Sequence, residues 1–415
     1  MTMRSLLILF ALMAVLPIAT GPASAQIGLP GLGLPDTGQV LDPLDRTLGR
    51  IERDTSRIAR DLLRDRERTL FRFLRQNSEF VEVDRTGQPA RRGELLLMDL
   101  TPEAARVLEQ QGFALLAQED IAGLGFIVSR LAVPARMSLA EAQGVVAALA
   151  PSATVAPDNI HFQSGTNAGP LAAQASVQAR TASTATRVPV GMIDGAPSAR
   201  IGEFAMRGFA RGAPAPSDHG TSIAHLLMQT GVRDIRVADV YGTDPAGGGA
   251  LAIARGLGWL VEDGSRVVTI SLVGPRNPVV ERAIGAARSR GAVVVAAVGN
   301  DGPAAPPAYP ASYEGVVAVT GVDGRKRALI EAGRALHLDY SAPGADLSGR
   351  NVRGSRVRLR GTSYATPLVA ARIAAAMERG ANWRIALDAE AEDLGEPGHD
   401  EVFGRGLICG GCGKS

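Results

Sequence analysis

The sequence predicts an α/β fold, a mainly parallel sheet with helices on both faces, preceded by a small ferredoxin-like α+β domain. Three observations carry this. From residue 188 onward, short apolar strands alternate with Ala-rich helical stretches, which implies a parallel sheet covered on both sides. Residues 93–165 run strand-helix-strand-strand-helix-strand, the split βαβ order. Residues 166–187 between them are small, polar and aperiodic, the composition of a linker.

Composition bounds the function. The chain has 415 residues, 46% apolar but only 4% aromatic, so its core rests on Ala, Val, Leu and Ile and it is long enough for two or three domains. Lys and Arg number 44 against 42 Asp and Glu, a net charge of +2. That balance argues against nucleic acid or an anionic membrane as the main partner.

At the N-terminus, Arg4, the apolar run Leu6–Leu16 and Ala23-Ser24-Ala25 form the tripartite pattern of a secretory signal peptide over 1–25, with export to the periplasm or beyond expected. The apolar run is short for a bilayer span, so no stable membrane span is expected after cleavage. Residues 26–92 hold a Gly/Pro-rich lead and then a charged amphipathic helix over 41–75, with Leu41, Leu44, Leu48, Ile51, Ile58 and Leu62 at 3/4 spacing. Such a helix ordinarily lies on a neighbouring domain.

In 93–165, "GELLLMDL" is strand-like. "TPEAARVLEQQG" is a helix capped by Thr101 with Pro102 in its first turn, and "MSLAEAQGVVAALA" is a second helix capped by Ser138. "ATVAPDNIHF" closes the unit as a strand. Over 188–380, "VPVGMID", "IRVADVYG", "RVVTISLVG", "AVVVAAVGN" and "GVVAVTGVD" read as strands, with helices between them. Residues 381–415 read as a tail carrying Cys409 and Cys412. Their C-x-x-C spacing allows a local disulfide in an oxidising compartment. The terminal "GKS" lacks the Gly a phosphate loop needs, since Ile408 stands there.

In an open parallel sheet, ligands bind beyond the carboxyl ends of the strands. Four polar residues fall at such ends or at helix starts: Asp194 after "VGMI", His219 in "SDHGTS", Asn300 after "VVAAVG" and Ser363 in "RGTSYATPL". Each alone has an ordinary explanation as a turn residue, a solvated ring or a helix cap. Together they supply a nucleophile, a base, a group that orients the base and an oxyanion donor, the parts that acyl transfer requires. Asp218 adjoins His219 but a chain neighbour rarely points at the ring, and His225 lies about 600° further round the helix, on another face.

In this order, Asp at a strand end, then H-G-T, A-x-G-N and G-T-S-x-A-T-P, the chain resembles the subtilisin-like serine proteases over residues 188–380. The ferredoxin-like segment resembles the inhibitory propeptide that commonly precedes such catalytic domains. The resemblance implies an exported serine endopeptidase made as a zymogen, with Ser363 as nucleophile, His219 as general base and acid, Asp194 orienting the imidazole and Asn300 donating to the oxyanion. It further implies that Ser271, Leu272, Val273 and Gly274 pair with substrate backbone and that Ala297 and Gly299 wall the pocket before the scissile bond. Expected partners are a peptide or protein substrate and the chain's own propeptide as intramolecular inhibitor. No cofactor or metal is expected, because the stretch from Asp194 to His219 is compact and carries no acidic ligand cluster.

Three positions depart from the pattern: Gly195 follows Asp194 directly, Val273 stands where Gly is common, and Tyr364 replaces a frequent Met. They bear on substrate preference more than on activity. The competing reading is an inactive subtilisin-like binding or scaffold module, against which the four intact polar residues argue.

Overall fold

The computed structural model describes residues 38–164, 166–170, 185–410 and 412. The expected signal peptide, the lead up to residue 37 and linker residues 171–184 lie outside the described residues. Helix α1 (Gly38–Gln76) is the expected amphipathic helix, and a compact body begins within it at Asp54. Among the described residues, no helix is long and apolar enough to cross a membrane.

A first sheet follows, built from β1 (Val81–Val83), β2 (Pro89–Met98), β3 (Ala114–Asp120), β4 (Ile127–Ala132) and β5 (Thr154–Asn159), with α2 (Pro102–Gln110) and α3 (Leu139–Leu149) on one face. All pairs are antiparallel, β2 lying between β4 and β5 and β4 between β2 and β3, which is the split βαβ order. Sheet structure begins ahead of residue 93, because Val81–Val83 folds back on Pro89–Arg91 as a hairpin with Gly87 at φ +77° in its turn. Thr101 caps α2 by accepting from the Ala104 N–H, and Ser138 and Glu141 form a reciprocal capping box on α3.

The chain continues through two short strands, β6 (Phe162–Gln163) and β7 (Thr166–Pro170), into β8 (Val190–Asp194). Then come β9 (Ala205–Gly208), α4 (Asp218–Gln229), β10 (Ile235–Asp239), α5 (Ala250–Glu262), β11 (Val267–Ile270), β12 (Leu272–Val273), α6 (Pro278–Ser289), β13 (Val293–Ala297) and β14 (Val317–Val322). The C-terminal part adds β15 (Tyr340–Pro343), β16 (Ala345–Arg350), β17 (Arg356–Arg360), α7 (Thr362–Glu378) and α8 (Trp383–Glu390). Seven strands form a wholly parallel sheet in the order β15-β14-β13-β11-β8-β10-β9.

Alternation along each strand splits the core. Val190 and Met192 of β8 join Ile223, Leu227, Val369 and Ile373 of α4 and α7 on one face. Ile193, with Val268 and Ile270 of β11, faces Ile253, Leu257 and Ile284 of α5 and α6 on the other. The segment read as a tail belongs to this body: Leu387 and Ile408 are buried in the α4/α7 core, and Leu407 bridges Ser341 and Glu392. Cys409 and Cys412 are joined by a disulfide. The start of the expected linker is also structured, since β7 pairs antiparallel with β17. That contact is made by backbone, so its small residues leave no periodic signal.

The small sheet sits on α5 and α6. Leu96, Met98, Ile121, Leu124 and Val128 belong to the same buried cluster as Ile253, Leu257 and Ile284. Helix α5 has Gly249 at its N-cap and no side-chain cap of its own; Asp158 of β5 supplies one, its Oδ1 accepting from the Leu251 N–H at 3.0 Å. Asp158 is also paired with Arg91 at 3.3 Å. Asn277 caps α6 and sends its amide N–H groups to the Pro157 carbonyl and Asn159 Oδ1, at 2.8 and 2.9 Å. Replacing Asp158 by Ala leaves the first turn of α5 unpaired beside a half-buried guanidinium, and is expected to cost about 2 kcal/mol. Denaturant unfolding of the intact chain checks this, and an unchanged midpoint would refute the capping role.

Candidate active site

Asp194 ends β8 with no solvent exposure. Its carboxylate accepts from the Gly195 N–H at 2.8 Å and from Gln163 Nε2 at 3.0 Å, and lies 2.8 Å from His219 Nδ1. His219 stands in the first turn of α4, whose N-cap Ser217 accepts from the Gly220 N–H. An ionised carboxylate only accepts, so Nδ1 carries the proton and Nε2 presents its lone pair. Nε2 is buried without a hydrogen-bond partner.

Two glycines make this approach feasible. A Cβ at Gly220 would overlap the Gly195 carbonyl, and one at Gly195 would lie 2.9 Å from Ser217 Cβ and closer still to its hydroxyl. The unusual Asp-Gly sequence thus fits a close approach of the β8 end to the α4 start. Asp218 has a separate task, accepting from the Val352 N–H at 2.8 Å. His225 is half-buried, further along α4. Burial, with Arg350 and Arg356 adding, pushes it down to about 4.

Ser363 lies in the first turn of α7, whose N-cap is Gly361 at φ +140°. Its Oγ is buried, 3.0 Å from the Ser271 carbonyl, to which it donates, and 2.6 Å from Ser164 Oγ. Asn300 Oδ1 accepts from the Thr362 N–H at 2.9 Å. That bond fixes which end of the amide is oxygen and leaves Nδ2 buried with no partner. An unmet amide donor beside a helix N-terminus is arranged to receive negative charge. Tyr364 is buried against the His219 ring, centroids 5.5 Å apart, and burial with Asp194 nearby pushes its phenol upward.

The remaining expected residues line a cleft that the chain itself fills. Phe162–Gln163 pairs antiparallel with Leu272–Val273, and the Ser164 N–H donates to the Ser271 carbonyl at 3.3 Å. Gly274 bridges Tyr309, and its Cα meets the His161 ring so closely that a Cβ would lie 2.5 Å from Cδ2. Ala297 is buried at the end of β13, and Gly299 turns the chain at φ +87°. Helix α1 borders the cleft: Arg66 pairs with Asp301 at 2.9 Å, Phe73 meets Phe162 edge to face, and Leu62 packs on Gly302. Between them lies a cavity of about 790 Å³.

Sequence reasoning missed Gln163 and Ser164, because "HFQS" carries no motif and its contacts are largely backbone. It also missed Tyr241, whose hydroxyl donates to the His161 carbonyl at 2.7 Å.

A family model described as the subtilase family, peptidase S8, matches residues 209–406. Subtilisin BL of Lederbergia lenta is 33% identical over 220 residues, 48% of this chain and 80% of that protein. Minor extracellular protease Epr of Bacillus subtilis is 30% identical over 205 residues, 46% of this chain and 32% of that protein. Fervidolysin of Fervidobacterium pennivorans, a solved structure, shares the fold with a TM-score of 0.63 at 16% identity, over 77% of this chain and 60% of that one. The chain belongs to the subtilase family, and is therefore a serine endopeptidase.

His161 gives the cleft a pH dependence. Its Nδ1 meets the Asn159 carbonyl at 3.2 Å, its Nε2 has no partner, and burial pushes it down to about 4. The buried ring is neutral, whereas a released one titrates near 6.5. Stability from its burial is complete above about pH 6.5 and fades as pH falls towards 4, a loss of about 3 kcal/mol. Urea unfolding of the intact chain across this range should show at least that loss, since His225 adds its own, and His161→Gln should remove about 3 kcal/mol of it. An unchanged pH slope in His161→Gln would refute this prediction.

Proposed function

We propose that this protein is an exported serine endopeptidase made as a zymogen, with Asp194, His219 and Ser363 as its catalytic triad. The observation that carries the reading is the buried Asp194–His219 pair, whose imidazole packs on Tyr364, the residue after Ser363, in a cleft where the chain's own strand ends against the serine hydroxyl. Export rests on the N-terminal signal pattern, and a relative's name as an extracellular protease supports it.

In this mechanism His219 Nε2 takes the proton of Ser363 Oγ as the oxygen attacks the substrate carbonyl. Asp194 holds the Nδ1–H tautomer and stabilises the imidazolium that forms. Asn300 Nδ2 and the Ser363 N–H donate to the tetrahedral oxyanion. His219 then returns the proton to the leaving amine, and water repeats the sequence on the acyl-enzyme. Ser271–Gly274 hold the substrate backbone as a strand, as Leu272–Val273 hold Phe162–Gln163 here.

The region up to Ser164 is the inhibitory segment under this reading, and the bond after Ser164 is the one processed. In the unprocessed chain Ser363 Oγ is engaged by Ser271 and Ser164, which accounts for the unpartnered His219 Nε2.

Ser363→Ala should abolish hydrolysis and leave the chain full-length, while wild type yields a mature form beginning at Gly165, as read by N-terminal sequencing and intact mass. A fluorophosphonate probe should label processed wild type at Ser363; absence of labelling would favour an inactive scaffold. Asn300→Ala should lower kcat by about 10²–10³-fold, the general cost of one lost oxyanion donor, with KM little changed. A rise in KM at constant kcat would refute the donor role.

A further inference from the structure

Asp194 keeps an acceptor position that the parallel-sheet body does not fill. Among the described residues of that body, only the Gly195 N–H and the His219 ring bond to its carboxylate. The remaining donor is the amide of Gln163, whose Nε2 reaches Oδ1 at 3.0 Å. Gly195 makes room for it. A Cβ there would already touch Gln163 Nε2, at 3.5 Å, and would overlap the Ser217 hydroxyl. A side chain at 195 is thus excluded, and the acceptor stays open to whatever lies in the cleft.

Strand geometry fixes which residue in the cleft points there. Leu272 and Val273 pair with Gln163 and Phe162, and successive side chains of a strand face opposite sides. Phe162 turns to Phe73 of α1, ring centroids 5.0 Å apart, and Gln163 turns to Asp194. Ser164 follows, with its N–H on the Ser271 carbonyl and its hydroxyl on Ser363. The bond proposed above to be processed comes directly after it. A peptide bound in this register therefore presents its second residue before the scissile bond to Asp194.

We propose that this enzyme selects glutamine at the second residue before the scissile bond, through a hydrogen bond from the substrate amide to the buried Asp194 carboxylate. The proposal rests on the protease reading above and names its substrate class. Asp194 has no solvent exposure and, ionised, can only accept, so the side chain that meets it must donate. Glutamine donates without bringing a charge. Methionine has similar length but no donor, and glutamate sets a second anion against a buried one, which low-dielectric surroundings penalise. A hydrogen bond to an ionised group of this kind is worth at least about 10-fold in kcat/KM. The amide touches no reacting atom. It acts as a positioning group, holding the carboxylate that orients His219.

The test uses the processed wild-type enzyme and peptide p-nitroanilides that end in Ser and differ only in the residue before it: Gln, Met or Glu. At about pH 8, where a free glutamate is ionised, the Gln peptide should exceed the Met peptide at least about 10-fold in kcat/KM, and Met should exceed Glu. An order set by donor and charge at similar length is one that packing alone does not produce. A maturation arm reads the same contact without added substrate. Gln163→Met should slow the appearance of the form beginning at Gly165 at least about 10-fold, and Gln163→Glu should slow it further. Should either precursor fail to fold, the peptides still decide the matter on unaltered enzyme. A Met or a Glu peptide cleaved as well as the Gln peptide would overturn the proposal. Absence of hydrolysis of all three together with absence of fluorophosphonate labelling would instead overturn the protease reading itself.

Discussion

A carboxylate removed from water must be met by donors on every open side, and Asp194 is the fully buried case on which this site is organised. The backbone after it, the imidazole of His219 and the amide of Gln163 each supply one. Two of these donors belong to the parallel-sheet body. The third comes from the strand that fills the cleft. The docked segment therefore completes the solvation of the charge that orients the histidine. On the proposed zymogen reading, a substrate that replaces that segment must supply a side chain or water at the position of the Gln163 amide.

The segment is held by more than its strand. Its sheet shares one buried cluster with α5 and α6, so its release exposes apolar surface on both partners. Asp158 and Asn277 tie the β5 end to the starts of those two helices, where the backbone carries unmet donors and partial positive charge. Docking thus satisfies groups that the parallel-sheet body leaves open by itself. Helix α1 adds an ion pair and an aromatic contact at the cleft rim.

Most of the scaffold was legible in the sequence, because buried parallel strands and capped amphipathic helices leave strong periodic signals. The pairing of Asp194 with His219 was legible too, since strand ends and helix starts are where such a sheet exposes chemistry. What stayed hidden depends on backbone contacts or on short edges. The strand β9, the hairpin β16–β17 and the helix α8 are brief, and β17 alternates with exposed arginines. The role of Gln163 and Ser164 arises only when their segment meets β12, and nothing local marks it. The departure at Gly195 was visible, but its reason, the nearness of Ser217, arises only from the tertiary fold.

On the proposed mechanism, the same constraint governs the oxyanion side at Asn300. The Thr362 N–H is one of the unpaired donors at the start of α7, and Asn300 Oδ1 accepts it. That bond turns Nδ2 inward, where burial leaves it without a partner. A buried donor left unmet carries an energetic cost, and a developing oxyanion relieves it more fully than a neutral carbonyl does. Under that proposal the cost of the unsatisfied amide, set by the helix start it accepts from, is directed at the transition state rather than at the bound substrate.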